Sequence, residues 1–286
     1  MTIGQLLREG ETQLAHREMA RLEVQVLLAW ILEVTKEQLF CSYDEGVTED
    51  TIERFSDAVR LLAEDKPLAY ITHEKEFYGL EFYVDGRVLI PRPETEWLVE
   101  KVIALSKDRG FTEIVDVGTG SGAIGLSLAV SLPGAHVSLV DISSDALAVA
   151  RMNAARFGIE DRVIMQESDL LNTICDQYFN IIVTNLPYIG TEKFHFVAAD
   201  VDKYEPHLAL YGGPDGLQLY TKLFQQVVDM PHRPKYLLGE YGFAQTEALR
   251  ALLDTFFVQL GATYAIVQDL AGIDRYFIVS FEGLPL

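Results

Sequence analysis

Residues able to hold a flat substrate bearing an NH2 group stand together at Thr184-Asn185-Leu186-Pro187-Tyr188-Ile189. The apolar run Ile181-Ile182-Val183 before them predicts a buried strand that delivers an amide, a carbonyl and an aromatic ring to its carboxyl end. The side-chain oxygen of Asn185 can accept one hydrogen of the substrate nitrogen. Pro187 has no N–H to engage the carbonyl of Leu186, so that oxygen is left to accept the second. Tyr188 supplies a face on which a planar group can stack. Asn and Pro also recur in ordinary strand-to-loop turns for backbone reasons alone, so the tetrapeptide gains meaning only beside a second motif.

That motif is Ile114-Val115-Asp116-Val117-Gly118-Thr119-Gly120-Ser121-Gly122-Ala123, which reads as strand, tight loop and helix. Its glycines permit positive φ and allow a ligand to lie against bare N–H groups at the start of the helix. Gly118-x-Gly120-x-x-Ala123 fits the dinucleotide fingerprint, and Asp141 ends the next apolar run, where an acid would hold ribose hydroxyls. The expectation is a nucleoside cofactor.

These groups need a scaffold. From residue 112 onward strands and helices alternate, which predicts βαβ units and a mainly parallel sheet. Strands are expected near 113–117, 136–140, 162–166, 179–184, 235–240, 263–268 and 276–281. Asp116, Asp141, Asp169 and Asn185 then fall at four successive strand ends, where one crevice can collect them. The last two strands are joined without a helix and so form an antiparallel pair. A dehydrogenase would keep winding there, and this ending favours a methyltransferase-type sheet.

Ahead of the sheet, residues 3 to 65 carry apolar positions at helical spacing and predict three or four short helices, with Thr48 as an N-cap. This small bundle reads either as a stabilising element or as a partner-recognition module. Lys66-Pro67 is expected to end it. Phe82-Tyr83-Val84 and Val88-Leu89-Ile90, with Asp85-Gly86 between them, predict a hairpin joining the two halves. Thr95 or Glu94 would open the next helix.

The chain has 286 residues, 49% of them hydrophobic, and a formal net charge of -20. That length supports two cores. The acidity weighs against broad contact with nucleic-acid phosphates, which needs Lys and Arg. No apolar run reaches membrane-spanning length and no leader pattern begins the chain, so a cytoplasmic location without membrane contact is expected. Two separated cysteines and six scattered histidines argue against disulfide or metal chemistry.

With these residues in view, the chain resembles the release-factor glutamine methyltransferases along nearly its whole length. The resemblance rests on Glu76-Phe77-Tyr78-Gly79, the block from Val88 to Ile90 followed by Pro91-Arg92-Pro93-Glu94-Thr95-Glu96, the glycine loop, Asn185-Leu186-Pro187-Tyr188, Tyr204-Glu205-Pro206 and Gly212-Gly213-Pro214-Asp215-Gly216-Leu217. It implies an α/β fold: a Rossmann-like sheet of seven strands dependent on S-adenosylmethionine, mostly parallel with an antiparallel last strand, behind a small N-terminal helical bundle. The domains implied are a substrate-recognising bundle at 1–66, a β-hairpin linker at 67–92 and the methyltransferase domain at 93–286. The implied reaction methylates the side-chain amide of the glutamine in the Gly-Gly-Gln motif of peptide chain release factors, by a monomer that does not bind nucleic acid directly. S-adenosylmethionine would be held by Asp116, Gly118, Thr119, Gly120, Ser121, Gly122, Asp141, Asp169, Leu170 and Asn185. Asn185, Leu186, Pro187 and Tyr188 would do the catalysis and bind substrate with Arg92 and Glu94.

Three positions depart from the family pattern. Leu186 stands where proline is usual, which suggests a looser loop; His73 replaces a glycine, and Tyr241 an isoleucine. The rival readings are an adenine amino-methyltransferase acting on DNA or RNA, a dehydrogenase, and a non-catalytic ribosome-associated adaptor.

Overall fold

The computed structural model describes residues 1–282, so positions 283–286 of the expected methyltransferase domain lie outside the described residues. Contacts divide the chain into two compact units that meet at Glu74 and Lys75.

The first unit is helical: α1 (Ile3–Gln13), α2 (Ala20–Leu32), α3 (Lys36–Cys41), α4 (Glu49–Ala63) and α5 (Leu68–Thr72). Thr2, Thr35 and Thr48 each cap a helix start by accepting an N–H three residues on, which satisfies a donor with no partner inside the helix. Leu6, Leu7, Val24, Leu27, Phe55 and Leu62 fill the core. Residues 3 to 65 hold four helices, within the expected three or four, but the bundle does not end at Lys66-Pro67: Pro67 opens α5 instead, and Ile71 of α5 joins the same core. Proline suits a helix start, where no N–H is required. His73 follows in the left-handed region with φ 58, a conformation that glycine adopts more easily.

A hairpin of β1 (Glu74–Phe77) and β2 (Leu80–Tyr83) comes next. It turns at Tyr78-Gly79, both at positive φ, as tight hairpin turns require. The hairpin expected around Asp85-Gly86 does not form. The Asp85 carboxylate instead accepts from the backbone N–H and guanidinium of Arg87, and the N–H of Ile90 donates to Glu205 Oε2 at 3.0 Å. With that donor engaged, Val88 and Ile90 are buried without pairing as a strand.

The remaining elements are α6 (Glu96–Arg109), β3 (Glu113–Val117), α7 (Ala123–Ser131), β4 (His136–Asp141), α8 (Ser144–Arg156), β5 (Val163–Glu167), β6 (Ile181–Thr184), α9 (Ala199–Tyr204), α10 (Gln218–Asp229), β7 (Tyr236–Glu240), α11 (Thr246–Phe257), β8 (Thr263–Gln268) and β9 (Asp274–Ser280). The seven strands lie in the order β5-β4-β3-β6-β7-β9-β8. All neighbours are parallel except β9, which runs antiparallel to both β7 and β8. This is the sheet the resemblance implies, and each strand falls within two residues of its expected start.

Alternation along the strands sorts side chains between the two faces. Val115 and Val117 pack into one cluster with Tyr220, Phe224, Leu253 and Phe257 from α10 and α11. Asp116, between them, points the other way, toward α7, where it meets the N–H of Gly125. The strand order reverses at β3, with β4 on one side and β6 on the other, and ligands bind at such a switch point. No helix among the described residues is long and apolar enough to cross a membrane.

Candidate active site

The carboxyl ends of β3, β4, β5 and β6 open into a cavity of about 370 Å³. Its walls include Gly118, Thr119, Gly120, Ser121, Asp141, Asp169, Leu170, Asn185, Leu186 and Pro187, faced by Arg92 and Thr95. Most of the expected residues are therefore gathered at one place. Asp116, Gly122, Tyr188 and Glu94 are not among the walls.

Asp116 lies beneath the glycine loop. Fully buried, its Oδ2 accepts from Thr119 Oγ1 at 2.6 Å and from the Gly125 N–H at 2.9 Å, so it pins the loop to the first turn of α7. Its Oδ1 has no hydrogen-bond partner among the described residues. Burial pushes the carboxyl up to about 7, opposed by those two hydrogen bonds.

The loop itself differs from an open nest of donors. Gly118 and Thr119 both donate to the carbonyl of Val140, Gly122 donates to that of Thr119, and Gly120 donates to Asp141 Oδ2 at 2.9 Å. Gly118, Gly120 and Gly122 sit at φ 72, 57 and 86, which only glycine tolerates without strain. The position where a dinucleotide would place its pyrophosphate thus already faces a carboxylate of the protein. Asp141 Oδ1 accepts from Ser143, each of its oxygens keeps a lone pair for a ribose hydroxyl, and burial raises its pKa. An acidic wall with engaged N–H groups fits a cationic nucleoside better than an anionic one.

At the end of β5, Leu170 adopts φ 55. The Gln226 side chain from α10 holds the segment by accepting from the Leu171 N–H and donating to Asn172 Oδ1. Asp169, offered by the sequence as either an adenine contact or a helix cap, is in an ion pair with Lys222.

The tetrapeptide is held on several sides. Leu186 is buried, and its Cδ2 lies 3.0 Å from where a Gly118 Cβ would be. Ile189 exchanges backbone hydrogen bonds with Leu210 and Gly212, and Gln245 Nε2 donates to the carbonyls of Tyr188 and Asp215. The loop is thus anchored despite Leu186 replacing the usual proline. Among the described residues nothing donates to the Leu186 carbonyl, which leaves it available as expected.

Tyr188 donates its hydroxyl to Glu240 Oε1 at 3.1 Å. Burial, then the Glu240 carboxylate, push its phenol well above the ordinary range. Its ring walls a separate groove with Phe194, Phe196, Phe243 and Arg275.

Arg92 is clasped by Glu205, whose other oxygen takes the Ile90 N–H, so Tyr204-Glu205-Pro206 is strapped to the segment from Ile90 to Arg92. Glu94 is exposed, and its backbone carbonyl accepts from the Tyr276 hydroxyl and the Glu96 N–H.

Several residues that hold the site escaped the sequence reading. Buried Asn153 bonds the backbone of Tyr83 on one side and the Ser121 carbonyl on the other. Gln245 and Glu240 do similar work around the tetrapeptide. A lone buried Asn, Gln or Glu carries no local pattern, and only Glu240, at the carboxyl end of an expected strand, stood where a site residue would be sought.

A family model described as the methyltransferase small domain matches residues 95–201, and one described as the PrmC N-terminal domain matches residues 5–72. The release factor glutamine methyltransferase of Moorella thermoacetica is 39% identical over 97% of this chain and 98% of its own. The proteins of that name from Koribacter versatilis and Bacillus subtilis are each 35% identical, over 94% and 96% of the chain. Among solved structures, a methyltransferase from Pyrococcus furiosus is 18% identical with a TM-score of 0.53, covering 80% of this chain and all of its own. The hMettl16 catalytic domain, in complex with MAT2A 3'UTR hairpin 1, is 14% identical with a TM-score of 0.54 over 89% of this chain and 90% of its own. These two likenesses concern the fold.

Proposed function

This chain belongs to the release factor glutamine methyltransferase family, and from that premise we propose that it methylates the side-chain amide nitrogen of the glutamine in the Gly-Gly-Gln motif of peptide chain release factors. As a member it is an S-adenosylmethionine-dependent protein-glutamine methyltransferase. The observation that carries the finer reading is the pairing of Asn185 with an unengaged Leu186 carbonyl in the wall of the cavity that also holds the glycine loop and Asp141.

The residues present fit the cofactor. Asp141 would hold the ribose hydroxyls, Asp169 with Leu170 would flank the adenine, and the glycine loop would border the methionine end. When bound, S-adenosylmethionine supplies an electrophilic methyl group on a sulfonium centre. The chain's part is to present the nucleophile. An amide nitrogen is a poor one because its lone pair is delocalised. Asn185 Oδ1 and the Leu186 carbonyl each accept one of its hydrogens, which orients the nitrogen and draws its N–H bonds toward the protein. Orientation alone can contribute on the order of 7 kcal/mol. No strong base is required before attack, because the proton becomes acidic once the nitrogen is alkylated, and its loss can follow.

An adenine substrate would present a similar NH2 group, and the acidity of the chain argues against it. Arg87 and Arg92, the two arginines at the cavity, are both engaged by carboxylates. A nucleic-acid track would need such cations for phosphates. The deciding experiment offers labelled S-adenosylmethionine with intact release factor, with that factor carrying alanine for the Gly-Gly-Gln glutamine, and with adenine-containing DNA and RNA. Label on the intact factor alone is expected, and label on nucleic acid would overturn the reading. Asn185→Ala should lower kcat/KM about 10²-fold to 10³-fold while changing cofactor affinity little.

A further inference from the structure

Asn185 does not stand alone. Its Nδ2 lies 3.0 Å from Thr95 Oγ1, whose hydroxyl reaches Glu240 Oε2 at 2.7 Å. The other oxygen of Glu240 accepts from the Tyr188 hydroxyl at 3.1 Å. Thr95 belongs to the short turn before α6, Glu240 to the end of β7, and Asn185 to the end of β6, so three distant segments meet in one chain of hydrogen bonds. Glu240 is buried away from the cavity, Thr95 is buried at its wall, and Asn185 reaches into it.

The direction of this chain follows from proton counting. A carboxylate can only accept, so Glu240 takes the single hydroxyl hydrogen of Thr95. Thr95 Oγ1 can then only accept from Asn185, and the group it accepts from must be the NH2 end of the amide. The Asn185 oxygen is thereby turned away from Thr95. A flipped amide would set two acceptors against each other, with the loss of a buried hydrogen bond.

We propose that Thr95 and Glu240 are positioning residues that fix the amide orientation of Asn185, so that its Oδ1, and not its NH2, is presented to the substrate nitrogen. The same carboxylate holds the Tyr188 hydroxyl, so one buried charge fixes two side chains of the tetrapeptide. The inference rests on the reading of Asn185 as the acceptor for the substrate amide. Only an acceptor at that point can draw on an N–H, and an NH2 group there would repel the substrate's hydrogens.

The test compares Thr95→Val, Thr95→Ser, Glu240→Gln and Asn185→Ala for kcat, KM toward release factor, S-adenosylhomocysteine affinity by calorimetry and melting temperature. Val keeps the shape of Thr and removes the hydroxyl. Thr95→Val is expected to lose about 10-fold to 100-fold in kcat, as small misplacements of a reacting group can, with KM and S-adenosylhomocysteine affinity held within about threefold. Thr95→Ser should restore kcat to within about threefold. Glu240→Gln can donate to Thr95 and so permits the flipped amide; its kcat should fall at least as far. Wild-type kcat in Thr95→Val alongside a large loss in Asn185→Ala would overturn the relay and leave Asn185 in place. Retained activity in Asn185→Ala would instead remove the reading on which the relay rests. A fall in melting temperature and S-adenosylhomocysteine affinity in step with kcat, in Thr95→Val and Glu240→Gln alike, would make the two residues structural and also overturn the proposal.

Discussion

Two carboxylates of the site are fully buried and do different work, because their partners differ. Glu240 has two hydroxyl donors and nearby Arg275, which oppose the rise that burial imposes on its pKa. Asp116, among the described residues, has both of its hydrogen bonds on one oxygen and none on the other. Its folded-state value of about 7 lies above the ordinary carboxyl value of 3.8. Asp116 therefore favours the fold fully only below pH ~4, where it is protonated in both states, and that contribution is lost as the pH rises through about 7. The loss amounts to roughly 4 kcal/mol. Asp116→Asn cannot ionise and keeps an oxygen for Thr119 and Gly125. Denaturant unfolding of the two proteins at several values between pH 4 and 8 should show stability falling with pH more steeply in the wild type. Parallel curves would mean that Asp116 does not titrate in this range.

At the scale of elements, the site is a set of loops locked backbone to backbone. Gly216 has φ 76, and a Cβ there would lie 2.0 Å from the carbonyl oxygen of Tyr188. The segment from Gly212 to Leu217 can thus approach the tetrapeptide only because the side chain is missing. Gly216→Ala combines a strained φ with a clash against backbone, which cannot rotate aside. A destabilisation of about 1 to 3 kcal/mol is expected, together with reduced kcat as the tetrapeptide shifts. An unchanged melting temperature would show that the two loops move independently. Leu186 meets the same logic from the other side, because its buried side chain fills the space that Gly118 leaves open.

For the whole molecule, the division into two units has a direct consequence. Every residue lining the cavity lies at or after Phe77, and so within the second unit. We propose that the first unit serves recognition of the protein substrate and takes no part in holding the cofactor. A fragment comprising residues 75–286 should bind S-adenosylhomocysteine within a few-fold of the full chain by calorimetry, once circular dichroism shows that it is folded, and should lose most of its activity on release factor. Cofactor affinity lost in a folded fragment would contradict this division of labour. The net charge of -20 belongs to this scale as well. It favours a basic partner surface and disfavours phosphate backbones.

The strand runs from Ile114 to Val117 and from Ile181 to Val183, the glycines at 118, 120 and 122, and the acid at 141 were legible in the sequence alone. Burial and turn geometry impose local patterns, and a motif such as Asn185-Leu186-Pro187-Tyr188 carries its chemistry within four residues. Those patterns placed the sheet, its antiparallel ending and most of the cavity wall. They misplaced the hairpin turn, because Asp85 is drawn to Arg87 and Ile90 to Glu205, and neither interaction leaves a trace in hydrophobic alternation. They put Asp116 at a strand end beside the crevice, and alternation along β3 turns its side chain under the loop. The line from Glu240 through Thr95 to Asn185 was decided by tertiary structure alone. Its members are separated by 145 and 90 positions, and a hydrogen bond depends on where the fold places two atoms, which no local spacing records.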